Sequence, residues 1–272
     1  MDVRYISAPT DAVTTTGPAP ILILGGTSEA TELARELTAR GYQVVLSFAG
    51  RTNPLNLPSA PRRVGGFGGV QGLMNELRQG GYRLLIDATH PFATHMAENA
   101  KGAAGLAGVP HIRIVRPPWQ PGSGATWHEV DGFEQAARCL TQLGARRAFL
   151  SIGSNQMSAF AGVQGVALVV RSIEPPSPLP PEHVTLLLAR GPYTVDAELA
   201  LLRKHRIDVL VARNSGGRAT ETKLDAACRL GIPVIMIRRP EQPQGEQAAT
   251  VTEVLNWVEA RLPRSAREVG TG

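Results

Sequence analysis

The sequence predicts an α/β fold of two similar halves, each a parallel sheet with helices between its strands. Three observations carry this expectation. Short apolar runs alternate with segments of helical periodicity, glycine-rich turns join strand ends to helix starts, and a fifteen-residue stretch recurs in the second half.

Ile21 to Leu24 is a wholly apolar run of the kind buried on both faces of a parallel sheet. Gly25-Gly26-Thr27-Ser28 breaks it, and Glu29 to Arg40 follows with Ala30, Leu33, Ala34 and Leu37 at helical spacing. Gly41 closes that helix and Gln43 to Phe48 is the next strand, so the unit is βαβ. The pattern goes on with a short strand at Arg63-Val64, a helix from Val70 to Gln79, a strand at Leu84 to Asp87, a helix from Ala93 to Leu106 and a strand from Pro110 to Val115. Second-half strands are expected at Ala148 to Ile152, Val166 to Val170, Thr185 to Ala189, Asp208 to Ala212 and Pro233 to Ile237. Helices fit at Gly132 to Leu143, Ala197 to His205, Lys223 to Leu230 and Val251 to Arg261.

The stretches from Ala103 to Pro117 and from Ala226 to Pro240 align without gaps and keep Ala-Ala, Gly, Pro, two Ile and Arg-Pro in register. An internal duplication explains this better than chance, and the fold class is two Rossmann-like domains with parallel sheets. The expected division is an extension over 1–20, a first domain over 21–118, a Pro- and Gly-rich linker over 119–127, a second domain over 128–262 and a frayed tail over 263–272.

Composition bounds the function. The chain of 272 residues has a net charge of +5, and of its 28 basic residues only Lys101, Lys204 and Lys223 are lysines. An arginine-heavy surface suits carboxylates and phosphates. There is no basic run or aromatic-interleaved basic stretch, so nucleic acid is not the expected partner. Cys139 and Cys228 lie apart with no CxxC, and no apolar run has the length of a membrane span, which points to a cytoplasmic protein without membrane contact. His90 and His95 are five apart with no third ligand near, so no metal is expected. The hydrolase signature Gly-x-Ser-x-Gly and the P-loop lysine motif are absent.

Gly25-Gly26-Thr27-Ser28-Glu29 follows a strand and opens a helix, so its amides form a candidate phosphate cradle. After the second strand, where NAD-binding sites place an acid for the ribose, this chain reads Ser47-Phe48-Ala49-Gly50-Arg51. A guanidinium there favours the 2′-phosphate of NADP(H). Gly65-Gly66-Phe67-Gly68-Gly69 brings bare backbone to the same edge, suited to the nicotinamide end. Thr89 and His90 follow the fourth strand, and His90 is the candidate proton donor. In the second half Arg190-Gly191 and Arg213-Asn214-Ser215-Gly216 end strands, and with Arg116 and Arg239 they form a candidate clamp for carboxylates. The loop corresponding to the Gly25-Gly26 turn is Gly153-Ser154-Asn155-Gln156, poorer in glycine, so the second half is read as binding substrate and not dinucleotide.

These motifs, with Asp87-Ala-Thr-His-Pro-Phe-Ala93, Asn214-Ser-Gly-Gly217 and Arg239-Pro240, resemble in order and joint presence the precorrin-6A reductase family of cobalamin biosynthesis, over Ile21 to Pro240. The resemblance implies NADPH-dependent reduction of one macrocycle double bond to give precorrin-6B. The implied substrate is a polycarboxylate tetrapyrrole, held in a cleft. Two positions depart from the pattern: Arg213 stands where Lys is usual and Tyr193 where Phe is common. A cobalt-bearing substrate, another anionic metabolite, or a non-catalytic nucleotide-binding module remain the alternatives.

Overall fold

The computed structural model describes residues 20–49, 60–173, 175 and 184–263. Two compact units emerge, each built on a six-stranded, all-parallel sheet with helices interspersed along the chain. The Rossmann-like α/β architecture is therefore as the alternating pattern requires.

In the first unit, β1 (Ile21–Leu24) is buried along its whole length. Thr27 caps α1 (Ser28–Ala39), which buries Ala30, Leu33, Ala34 and Leu37, the four residues its spacing singled out. β2 (Val44–Phe48), β3 (Arg62–Val64), α2 (Gly69–Gln79), β4 (Leu84–Asp87), α3 (Thr94–Ala107) and β5 (His111–Ile114) follow. The second unit carries β6 (Trp127–Val130), α4 (Phe133–Gln142), β7 (Arg147–Ser151), β8 (Ala167–Ser172), β9 (Val184–Leu188), α5 (Val195–Lys204), β10 (Val209–Arg213), α6 (Thr222–Arg229) and β11 (Val234–Ile237). The chain ends with β12 (Gln247–Ala248) and α7 (Val251–Arg261).

The duplication is visible as topology. One sheet runs β12-β5-β4-β1-β2-β3 and the other β6-β11-β10-β7-β8-β9. Equivalent strands occupy equivalent places, and β5 and β11 begin at the two residues, His111 and Val234, that the sequence repeat aligns.

The division of the chain differs from the expected continuous segments. Residues 243–263 belong to the first unit, while His90–Thr94 and the described residues from Val115 to Gln242 form the second. The cause is the sixth strand of each sheet. β5 would present a bare edge, and β12 covers it, pairing Gln247 with Arg113 and Ala248 with Ile114. Helix α7 then buries Val254, Leu255 and Val258 in the core built by β1, β2 and α1. In the second sheet β6, which comes before β7 in the chain, pairs with β11 instead. The two βα pairs, β6-α4 and β12-α7, thus fill the same place in opposite units. Among the described residues no helix is long and apolar enough to cross a membrane.

Candidate functional site

In the first unit the carboxyl ends of β1, β2, β3 and β4 carry the residues expected to hold a dinucleotide. The Gly25 amide donates to Ser47 O at 2.8 Å. A Cβ on Gly25 would stand 3.0 Å from the Phe48 ring and 3.1 Å from Ser47 O, so a side chain there would push β2 back by a few tenths of an ångström. Gly26 has φ +121°, with open space where a side chain would be. The helix α1 then starts, and the first amides of any helix lack an acceptor within it. Thr27 Oγ1 accepts from Ala30 N at 3.2 Å and donates to Ala88 O at 2.7 Å. Its hydroxyl is thereby committed to the protein and ties the helix start to the end of β4. Ser28 Oγ donates to Glu29 Oε2 at 3.0 Å, and Ser47 is buried.

After β3, Arg63 shapes the glycine loop. Its guanidinium donates to Gly65 O at 2.7 Å and Gly66 O at 2.9 Å and lies 3.8 Å from the centre of the Phe67 ring. Gly68, in the left-handed conformation, opens α2. Gly50 and Arg51 lie outside the described residues.

At the end of β4, Asp87 is fully buried. One carboxylate oxygen accepts from Thr89 N (3.0 Å) and Thr89 Oγ1 (2.7 Å), and the other pairs with the Arg113 guanidinium directly across on β5. This pair fixes the turn that leads into His90. Sequence reasoning missed Arg113 and Arg63. A signal for the first was there, because a lone charge in each of two apolar strands, Leu84 to Asp87 and Pro110 to Val115, implies a buried partner.

The second unit gathers four of the expected residues. Arg213 ends β10, and its guanidinium has no hydrogen-bond acceptor or carboxylate partner among the described residues; its Nε is buried. Burial lowers its pKa to about 10. The positive field of Arg213, Arg116, Arg239 and Lys223 acts on His90. Burial first, then those cations, pushes the His90 pKa down to about 2. Lys223, buried in α6, donates to Thr220 O at 2.8 Å and lies 5.0 Å from the centre of the Trp119 ring. Burial and the neighbouring Arg171 lower its pKa to about 7, against the opposing pull of Glu198.

A backbone clip holds this cluster. The Asn214 side-chain amide accepts from Trp119 N (2.8 Å) and donates to Trp119 O (3.1 Å), while Trp119 Nε1 donates to Gly217 O (3.2 Å). Arg239 donates to Asn214 O (3.2 Å) and Arg116 O (2.5 Å). Asn214, one of the expected substrate residues, uses its amide to pin the main chain of Trp119. Ser215 and Gly216 are buried within the same loop. Trp119 and Lys223 were not foreseen as parts of the site. Arg190 and Gly191 stand apart after β9, in a loop braced by Tyr193, whose hydroxyl donates to Ala189 O at 2.8 Å. Arg171 lies 3.7 Å from the centre of the Tyr193 ring and pairs with the buried Glu198 at 2.9 Å.

The chain matches, over residues 20–259, the model of a family described as Precorrin-6x reductase CbiJ/CobK. It is 48% identical over 240 residues to a precorrin-6A reductase of Rhodococcus erythropolis, covering 88% of this chain and 96% of that protein. A cobalt-precorrin-6A reductase of Priestia megaterium is 28% identical over 248 residues, covering 87% and 96%. A solved structure titled CobK precorrin-6A reductase superposes with a TM-score of 0.86 at 39% identity, covering 93% of this chain and all of that one.

Proposed function

The chain belongs to the precorrin-6x reductase family, and from that membership we propose that it reduces one carbon–carbon double bond of precorrin-6A with NADPH, in cobalamin biosynthesis. The observation that carries the substrate reading is Arg213, a half-buried guanidinium at a strand's carboxyl end whose buried Nε has no hydrogen-bond partner and which meets no carboxylate among the described residues. Such a group is costly until a carboxylate arrives. Arg190 lies three strand spacings away along the sheet order β10-β7-β8-β9, about 14 Å at the usual inter-strand distance. Two such arginines suit separate carboxylates of one large polyanion, with Arg116 and Arg239 framing the Arg213 end. The greater identity to precorrin-6A reductases (48%) than to a cobalt-precorrin-6A reductase (28%) favours the metal-free substrate.

The dinucleotide belongs to the first unit in this reading. The Gly25-Gly26 turn and the start of α1 receive the pyrophosphate, the Gly65–Gly68 loop and Thr89 border the nicotinamide, and Ser47 and Arg51 meet the adenosine 2′-phosphate. When bound, NADPH supplies the hydride; the protein orients the two partners. Stopped-flow oxidation of NADPH on adding precorrin-6A tests the activity, and no oxidation would refute it. Replacing Arg51 by Ala should weaken NADPH by about 1–3 kcal/mol, the scale of a charge-assisted hydrogen bond, and leave NADH nearly unchanged. Equal losses for both cofactors, read by calorimetry, would remove the preference for NADP. Arg213→Gln and Arg190→Gln should each raise the KM for the macrocycle by about tenfold, without shifting the NADPH titration.

A further inference from the structure

We infer that His90 serves as a neutral ring, a fixed Nε2–H hydrogen-bond donor to an acidic oxygen of the ligand, and does not protonate the substrate. This deepens the reading above and rests on it for the ligand, but not for the state of the ring. Phe92 N donates to His90 Nδ1 at 3.2 Å, so that nitrogen presents its lone pair and holds no proton. The single hydrogen of the neutral ring is then on Nε2, which has no partner among the described residues. The ring is only partly buried, so a ligand can reach it.

The ring cannot readily turn to free Nδ1. His90 and Phe92 contact each other with centroids 5.7 Å apart, and Phe92 lies beneath the Arg213 guanidinium at 5.3 Å. A backbone hydrogen bond also joins Ala93 N to His90 O at 2.8 Å, closing a tight turn.

The charges of the described residues that act on the ring are all positive. Arg213 acts from β10, Arg116 and Arg239 from the segments after β5 and β11, and Lys223 from α6. Burial has the larger effect, and among the described residues no carboxylate opposes these cations. Ligand carboxylates drawn to those arginines would cancel part of the field, yet the Phe92 amide would still claim Nδ1.

The reduction still balances. Bound NADPH would supply a hydride, two electrons with one proton, to one carbon of the double bond. The π electrons of that bond form the second C–H bond at the neighbouring carbon, with a proton from water. The hydroxide left behind is neutralised by solvent.

Nitrogen-15 spectra of the six histidines, recorded from pH 5 to 8, decide the ring's state; His90→Gln identifies the signals that belong to it. The expected result is an unprotonated Nδ1 and a protonated Nε2 that do not move over that range. A ring that titrates with a midpoint above pH 5.5 overturns the inference, whether or not the protein reduces precorrin-6A. In turnover, His90→Gln keeps an N–H donor and should lower kcat only a few-fold, with KM raised about tenfold and the same pH profile. A kcat lowered more than about a hundredfold, with a changed acidic limb, would return the proton-donor role to His90. A wild-type protein that never oxidises NADPH refutes the reductase reading and leaves the spectra as the test of the ring.

Discussion

Replacing Asp87 by Ala is expected to lower the stability of the protein by about 3–5 kcal/mol, the usual loss when one partner of a buried ion pair is removed. The carboxylate is fully buried and meets three donors: the amide and hydroxyl of Thr89 and the Arg113 guanidinium. Without it the Arg113 cation is stranded in an apolar sheet, where its Nε already lacks a partner. The hydroxyl of Thr89 loses its acceptor too. Urea unfolding followed by circular dichroism should show the earlier midpoint. The double variant Asp87→Leu with Arg113→Met should recover much of the loss, because well-packed apolar residues often replace a buried pair at little cost. A single variant within 1 kcal/mol of wild type would mean that the pair is not what holds the turn.

Gly216→Ala should cripple the second unit, and for a reason that a matched glycine can isolate. Gly216 and Gly231 have nearly the same backbone, φ +64° and +63°. At Gly231 a Cβ would meet nothing within 4 Å, whereas at Gly216 it would stand 2.2 Å from Pro117 O and 2.9 Å from the Arg239 guanidinium. Gly231→Ala should therefore incur only the left-handed strain, about 1–2 kcal/mol. Gly216→Ala must also drive the 116–119 segment away from the 214–217 loop. The bonds from Asn214 to Trp119 and from Arg239 to Arg116 O would go with it. We expect at least a tenfold rise in the macrocycle KM for Gly216→Ala and an unchanged NADPH affinity, with Gly231→Ala near wild type in both. Equal behaviour of the two variants would show that the clip does not position the arginines.

Much of this architecture can be read from the chain itself. Runs such as Ile21 to Leu24 are apolar throughout because both faces of a parallel sheet are covered, and a helix such as α1 announces its buried stripe by spacing alone. What could not be read is whatever depends on distant partners. β12 is two residues, Gln247 and Ala248, with no pattern of its own; it is a strand only because Arg113 and Ile114 lie beside it. The same holds for β6, whose Trp-His-Glu-Val sequence is not an apolar run. The site divides along that line. The glycine turns and strand-end arginines were legible as local chemistry. That Asn214 would grip the main chain of Trp119, 95 residues away, was not, because an asparagine beside a glycine loop looks the same whether it faces a ligand or a backbone.

The crossed βα pairs also govern how this protein can be made. A ribosome releases β1 to β5 early, but β12, which covers the free edge of β5, and the helix that shields Leu33 and Val44 emerge only after every strand of the second sheet. The first unit must therefore wait, its edge unpaired, until the second sheet has been synthesised. A gene cut near residue 118 would encode a first fragment without β12 and α7, and a second that carries every strand of its own sheet together with β12 and α7 but no β5 to pair with. The first should not fold alone. Mixed together, the two fragments hold every strand of both sheets and could complete each other.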